Sequence, residues 1–418
     1  MRVVVVPQAR DLFPFARKPD DCALGAETFG AYRSRTLIAL GLSSQVAQDA
    51  DTPIDGPALV LADDAFATKR AIRFFIRALR GESAPCRLSL PPSRLLELFL
   101  PLQDVPTAED GRVAFDIGFI PTGCRASPAE IFALGPERWR CPAFREIPLE
   151  VPMPPYILGR DSRTFAFPLT SCVAMRIRHW VHVLRANHLM PQILLIENAE
   201  RHPVRAMFRA LCSLRFSKPG WIQALKSNFV ETGKNCFIHP TAIIESSVLG
   251  NNVQVGANAY IVGSVLGDDV RVEQRAHIEQ SCLGAHTYVS KNSTVSACVS
   301  FGDTDVCTNG IQGSAIAERC ALTSWARPLD VVPGGQVSVR DNGEIRPVGE
   351  MPCGVAFGAG VFVGADVNIA PGRALPPGIR LIADPRHTLR KIPQNAAPGR
   401  YAVEKGSLLA FDTLKNDM

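Results

Sequence analysis

The chain has 418 residues, of which 46% are hydrophobic and 20% charged, with a formal net charge of +5. That length favours two or three domains, each burying its own core, and the composition excludes a disordered chain. Lysine and arginine are spread rather than gathered into a block, which argues against nucleic acid as a partner, and no apolar run reaches the roughly 18 residues that a membrane span needs.

Twelve cysteines are scattered, with no CxxC pair and no cysteine–histidine cluster at zinc spacing. The first residues, MRVVVVPQARDLF, hold too short an apolar run for a signal peptide and read as a buried strand. A reduced, cytoplasmic protein using cysteine as a small core residue is the expectation.

In chain order, Val3–Val6 reads as a strand, and Ala58–Leu61 as a second that leads into Asp63-Asp64. A helix follows in which Ile72, Phe75, Ile76 and Leu79 fall at i, i+3, i+4 and i+7, with Arg73, Arg77 and Arg80 on a solvated face. Val113–Asp116 is a third strand. Alternating strands and helices predict an α/β domain over residues 1–165. Residues 166–234 are expected to be a helical linker. In it, Val173, Ile177, Val181 and Leu184 share one face of a helix over 171–189 capped by Ser171, and a second helix over 203–226 breaks at Pro219-Gly220. His179 and His182 stand at i, i+3, but with no third ligand nearby they read as a polar helix face.

From Ser247 the sequence repeats itself in blocks of 17: SVLGNNVQVGANAYIVG, SVLGDDVRVEQRAHIEQ and SCLGAHTYVSKNSTVSA. Ile238, Val255, Val272 and Val289 form one column; Ile244, Ile261, Ile278 and Val295 a second, six residues on; Val248, Val265, Cys282 and Val299 a third; and Gly250, Gly267 and Gly284 a fourth. A three-faced coil needs one inward apolar side chain per face, and coils stacked at about 4.8 Å lay each position on its own copy. The recurring glycine suits a corner of positive φ. The spacing excludes a helix. A parallel β-helix over residues 235–385 follows, ahead of a tail at 386–418. The period lapses over 320–352, where alternating residues flank Asp341-Asn342-Gly343, and this insertion reads as a hairpin arm projecting from the β-helix. The period then returns with Phe357, Val363, Ile369 and Leu375.

The segment IHPTAIIESSVLGNNVQVGANAYIVG resembles the hexapeptide-repeat transferases, among them sugar acetyltransferases, lipid A acyltransferases and the acetyltransferase half of N-acetylglucosamine-1-phosphate uridyltransferase. The resemblance implies a left-handed coil, a homotrimer with sites in the grooves between subunits, and a small-molecule substrate. The domain order resembles the GlmU-like sugar nucleotidyltransferases. The stretch Leu12-Phe13-Pro14-Phe15-Ala16-Arg17-Lys18-Pro19 is similar to their segment ending in Lys-Pro, and Leu61-Ala62-Asp63-Asp64 to their strand with a metal-binding aspartate. One departure stands out. Where those enzymes have a glycine-rich phosphate-binding turn after the first strand, this chain has Pro7-Gln8-Ala9-Arg10-Asp11, without glycine and with one amide donor fewer. A degenerate N-terminal domain is therefore expected.

The resemblance points to transfer of an acyl or nucleotidyl group to a sugar, nucleotide-sugar or similar metabolite. The donor would be an acyl-CoA, an acyl carrier, or a nucleotide with Mg²⁺ held by Asp63 and Asp64. The bland reading of those two aspartates is a cap on the following helix. Hexapeptide acyltransferases use a histidine base, for which His277 and His286 are the candidates, each also readable as an exposed corner residue; His239 opens the coil and is structural. A non-catalytic assembly or binding protein descended from such an enzyme is the competing class.

Overall fold

The computed structural model describes all residues except 47–48, 153–163, 214–228, 388, 393–397, 399–400, 406 and 411–418. The expected break at Pro219-Gly220 therefore lies outside the described residues. The N-terminal region is built on a six-stranded sheet of β1 (Arg2–Val6), β2 (Ser43–Val46), β3 (Ala58–Ala62), β4 (Cys86–Leu90), β5 (Val113–Ile120) and β6 (Trp139–Arg140), in the order β6-β4-β5-β3-β1-β2. β1 pairs in parallel with both β2 and β3, while β5 runs antiparallel to both β3 and β4. Helices α1 (Phe29–Ala39) and α2 (Lys69–Ala78) are capped by Thr28 and Thr68, whose side chains accept from the amides of Ala31 and Ala71. Thr68, rather than Asp63 or Asp64, thus opens the helix after β3.

Residues 231–381 form a parallel β-helix. Its first face stacks eight strands, from Glu231–Thr232 to Ala374–Leu375; its second stacks eight, from Phe237–Ile238 to Arg380–Leu381; its third stacks five, from Ile243–Glu245 to Gly310–Gln312. The register is the 17-residue one, Val255 pairing with Val272 and Val272 with Val289, all buried. The first two columns point inward as expected.

The other two columns are corrected. On the first face the inward residues are Leu249, Leu266 and Leu283. Val265, Cys282 and Val299 face outward and are buried against the N-terminal region. Strand side chains alternate, so a shift of one residue exchanges the two sides of the sheet. In the glycine column φ is not positive. A Cβ at Gly267 would lie 2.7 Å from the amide nitrogen of Ala285, and one at Gly284 2.5 Å from the carbonyl carbon of Phe301. Glycine is needed there because the next coil passes too close. The positive φ falls two residues later, at Asn252, Asp269 and His286.

What covers the first face is α3 (Trp180–Arg201), a 22-residue helix with nearly every residue of its first half buried. It begins at Trp180, nine residues after the start read from the sequence, because Ala174–Arg176 is first drawn into a strand against Ala65–Ala67. Asn187 clasps the N-terminal region, donating to the carbonyl of Ala23 and accepting from the amide of Gly25, both at 2.8 Å. On its other side Cys282 packs on the carbonyl of Asn187. One continuous apolar core, including Val3, Phe75, Leu184, Val265 and Val299, joins the sheet, α3 and the outside of the β-helix.

The inserted arm is a hairpin, with Ser338–Asp341 paired to Glu344–Pro347 around Asn342-Gly343 at φ 48° and 92°. It is shorter than read from the sequence, since Ala321–Leu322 and Arg327–Pro328 still belong to the coil. It does not project freely but folds onto its own N-terminal region, burying Val339, Val348 and Met351 and pairing Arg346 with Asp104 and Glu350 with Arg94.

Candidate functional site

Sheet order reverses between β1 and β3, since β1 is flanked on its other side by its successor β2. In open α/β sheets ligands bind outside the carboxyl ends of strands at such a switch point. Here that edge carries Pro7–Arg10 after β1 and Asp63-Asp64 after β3. A cavity of about 400 Å³ opens beside it, lined by Gln8, Arg10, Asp64, Arg178, Asp341 and Asn342, among others. The tip of the arm therefore forms one wall.

The two aspartates have different partners. Asp63 Oδ1 accepts from the amides of Gln8 and Ala9, both at 2.7 Å. These are the amides that a glycine-rich turn would leave open to a phosphate, and here an internal carboxylate fills them. Asp64 is 2% exposed, and its Oδ2 accepts from Arg176 and Arg178, both at 2.9 Å. Arg176 also pairs with Asp116 at 2.8 Å, and Asp116 with buried Arg87 at 2.5 Å. Burial pulls the Arg87 guanidinium down from its usual range, partly opposed by the neighbouring Asp116 carboxylate. Asp64 Oδ1 is buried with no hydrogen-bond partner.

These residues do not fit a divalent cation. One carboxylate is engaged by two amides and the other by two guanidinium groups, and no cluster of three or more His, Cys, Asp or Glu able to hold a metal occurs among the described residues. What the crevice offers is the cationic groups of Arg178 and Arg10, beside a buried Asp64 carboxylate.

The segment after the crevice loop turns away from it. Phe15 packs on Phe301 of the β-helix with ring centroids 4.7 Å apart, and Arg17 pairs with Glu318 and lies over the Phe301 ring. The stretch similar to the Lys-Pro segment of the sugar nucleotidyltransferases therefore forms part of the seam between the halves.

His277 and His286 are not brought together. His277 lies on the third face, and His286 at the corner between the first and second faces, with φ 58° and its side chain 61% exposed. His286 shares the corner conformation of Asn252 and Asp269, which accounts for it without any chemistry. His277 has more around it. Its ring packs on Tyr260 at 5.1 Å, its Nε2 is buried without a hydrogen-bond partner, and Glu279 Oε2 stands 3.8 Å away. Tyr260 in turn reaches the buried carboxylate of Glu245 at 3.3 Å.

His179 and His182 form no polar helix face. His179 caps α3, and His182 is fully buried, accepting at Nδ1 from the amides of Arg178 and His179 while Nε2 meets the carbonyl of Pro101 at 3.1 Å. Burial pushes His182 down to about 3. Sequence reasoning missed Arg176 and Arg178, which lie more than 100 residues from Asp64; their only signal was a basic pair in a segment read as helix.

A family model described as the GMPPB C-terminal domain matches residues 224–309, a span that takes in the first coils of the β-helix. No curated protein matches the chain. The match covers well under half of the sequence and supports a β-helix of the sugar nucleotidyltransferase kind at that place in the chain. No helix among the described residues is long and apolar enough to cross a membrane.

Proposed function

We propose that this chain is a sugar-directed protein of the β-helix transferase class. Its N-terminal crevice binds a phosphorylated sugar or a sugar nucleotide without supplying metal-assisted nucleotidyl transfer. The observation that carries this is the pair Arg10 and Arg178, which line the crevice at the switch point of the sheet. The neighbouring guanidinium groups suit a phosphate. The filled amide pair after β1 supports leaving triphosphate out of the role.

Isothermal calorimetry tests it with hexose phosphates, nucleotide sugars and nucleoside triphosphates, each with and without Mg²⁺. Binding of one of the first two classes, independent of Mg²⁺ and weakened at least about tenfold in the surface variant Arg10→Ala, is expected. Tight, Mg²⁺-dependent triphosphate binding would sink the reading.

A second reading, acyl transfer on the β-helix, is favoured by one observation, the histidine–carboxylate pair of His277 and Glu279 on the third face. His277 would act as the general base. If transfer from an acyl-CoA to a sugar is found, His277→Ala should slow it by about 10²–10⁴-fold, and His286→Ala should not.

A further inference from the structure

Helix α4 (Pro203–Ser213) follows α3 and, among the described residues, leaves one side uncovered. Val204, Met207, Phe208 and Leu211 fall at i, i+3, i+4 and i+7, one stripe of a helix, and are 74%, 60%, 67% and 55% exposed. Isolated exposed apolar residues need no explanation, but four in one stripe do. The opposite side faces α3 through the half-buried Ala206.

The charge carried by the helix sequence itself has one sign. From Arg201 to Ser213 the sequence holds Arg201, Arg205 and Arg209 and no acid, and the next acid is Glu231. Glu231 pairs with Arg205 at 3.4 Å, and Glu200, just before the stretch, is taken by Arg73 at 3.0 Å. An apolar stripe on a stretch whose sequence holds three arginines and no acid is the pattern of a helix lying in the interface of a bilayer with anionic headgroups.

We infer that α4 is a membrane-docking helix. It lays Val204, Met207, Phe208 and Leu211 into an anionic lipid surface while its arginines meet the headgroup phosphates. The rest of the chain stays in water. A second copy of this chain is the other kind of occupant, and the test separates the two.

Flotation of the full chain with phosphatidylcholine vesicles, with and without phosphatidylglycerol, reads the partition directly. The expected result is binding to the phosphatidylglycerol vesicles, weaker on neutral vesicles and weakened by salt. The double variant Met207→Glu/Phe208→Glu lies at exposed positions, and its folding is checked by far-ultraviolet dichroism. It should lose at least about tenfold in partition, since two inserted side chains become charged. Equal partition of both proteins, or no preference for the anionic vesicles, overturns the inference. So does absence of vesicle binding together with a lower mass for the variant in light scattering, which would assign the stripe to self-association.

Discussion

His188, midway along α3, reaches across the seam and donates from Nε2 to the main-chain carbonyl of Ala297 in the β-helix, at 2.9 Å. Burial pushes its imidazole from 6.5 down to about 3, as it does that of His182. The folded chain therefore refuses protons that the unfolded chain accepts between those values. Stability is fully present above 6.5 and is lost as the pH falls through this window, with a slope approaching about 1.4 kcal/mol per pH unit for each histidine. Urea unfolding between pH of about 7 and about 5, above most of the carboxylate range, should show this decline. His188→Gln keeps a donor for Ala297 and should flatten the slope by one proton; an unchanged slope would mean that His188 is not held neutral.

The carboxylate of Asp63 and the two amides it occupies make an unusual prediction. Asp63→Ala should cost about 1–3 kcal/mol of stability, as two part-buried donors lose their acceptor. It should also raise the affinity of the crevice for inorganic phosphate, because the amides become available. Calorimetry with phosphate on both proteins checks this, and weaker phosphate binding in Asp63→Ala would contradict the assignment.

Val272 sits between Val255 and Val289 in the second-face ladder, 2% exposed. Val272→Asp places a charge where no partner exists, and the expected outcome is loss of the folded state, seen as a collapsed melting transition. A soluble, fully folded Val272→Asp protein would mean that the register is wrong.

The glycine column separates two explanations. If Gly267 is required by the close approach of the Ala285 amide, Gly267→Ala and Gly267→Asn should both destabilise, by more than the roughly 1 kcal/mol that lost backbone freedom alone would change. If positive φ were the reason, Gly267→Asn would be much the better tolerated of the two. Melting temperatures of the pair decide.

A homotrimer remains the expectation carried by resemblance to the hexapeptide-repeat transferases. With the first face closed by α3, contacts between copies fall to the second and third faces, where Phe237 and Ile243 are 64% and 54% exposed. Light scattering at micromolar concentration should give three times the chain mass; a monomer would remove any site shared between subunits.

What the sequence made legible was whatever repeats or is local. The 17-residue period could be read because stacked coils place Val255, Val272 and Val289 on one another, so the same demand recurs in the same column. The hairpin at Asn342-Gly343 could be read because its turn depends on two residues. The partners were not legible. Nothing near Asp63 announces Gln8, and nothing near Asp64 announces Arg176 and Arg178, because the sheet edge brings them together from separate parts of the chain. The one-residue error on the first face has the same origin. Val265 and Leu266 are equally apolar, since both sides of that strand are buried, one inside the coil and the other under α3.

That double burial bears on how the two halves can be separated. Cutting the chain before residue 231 would strip α3 from Val265, Cys282, Val299 and Ala315 and present water with a greasy flank that the intact protein never shows. The halves are thus poor candidates for independent expression or for exchange with other enzymes as ready-made parts. A lineage that lost chemistry in one half would still have to keep it as the lining of the other.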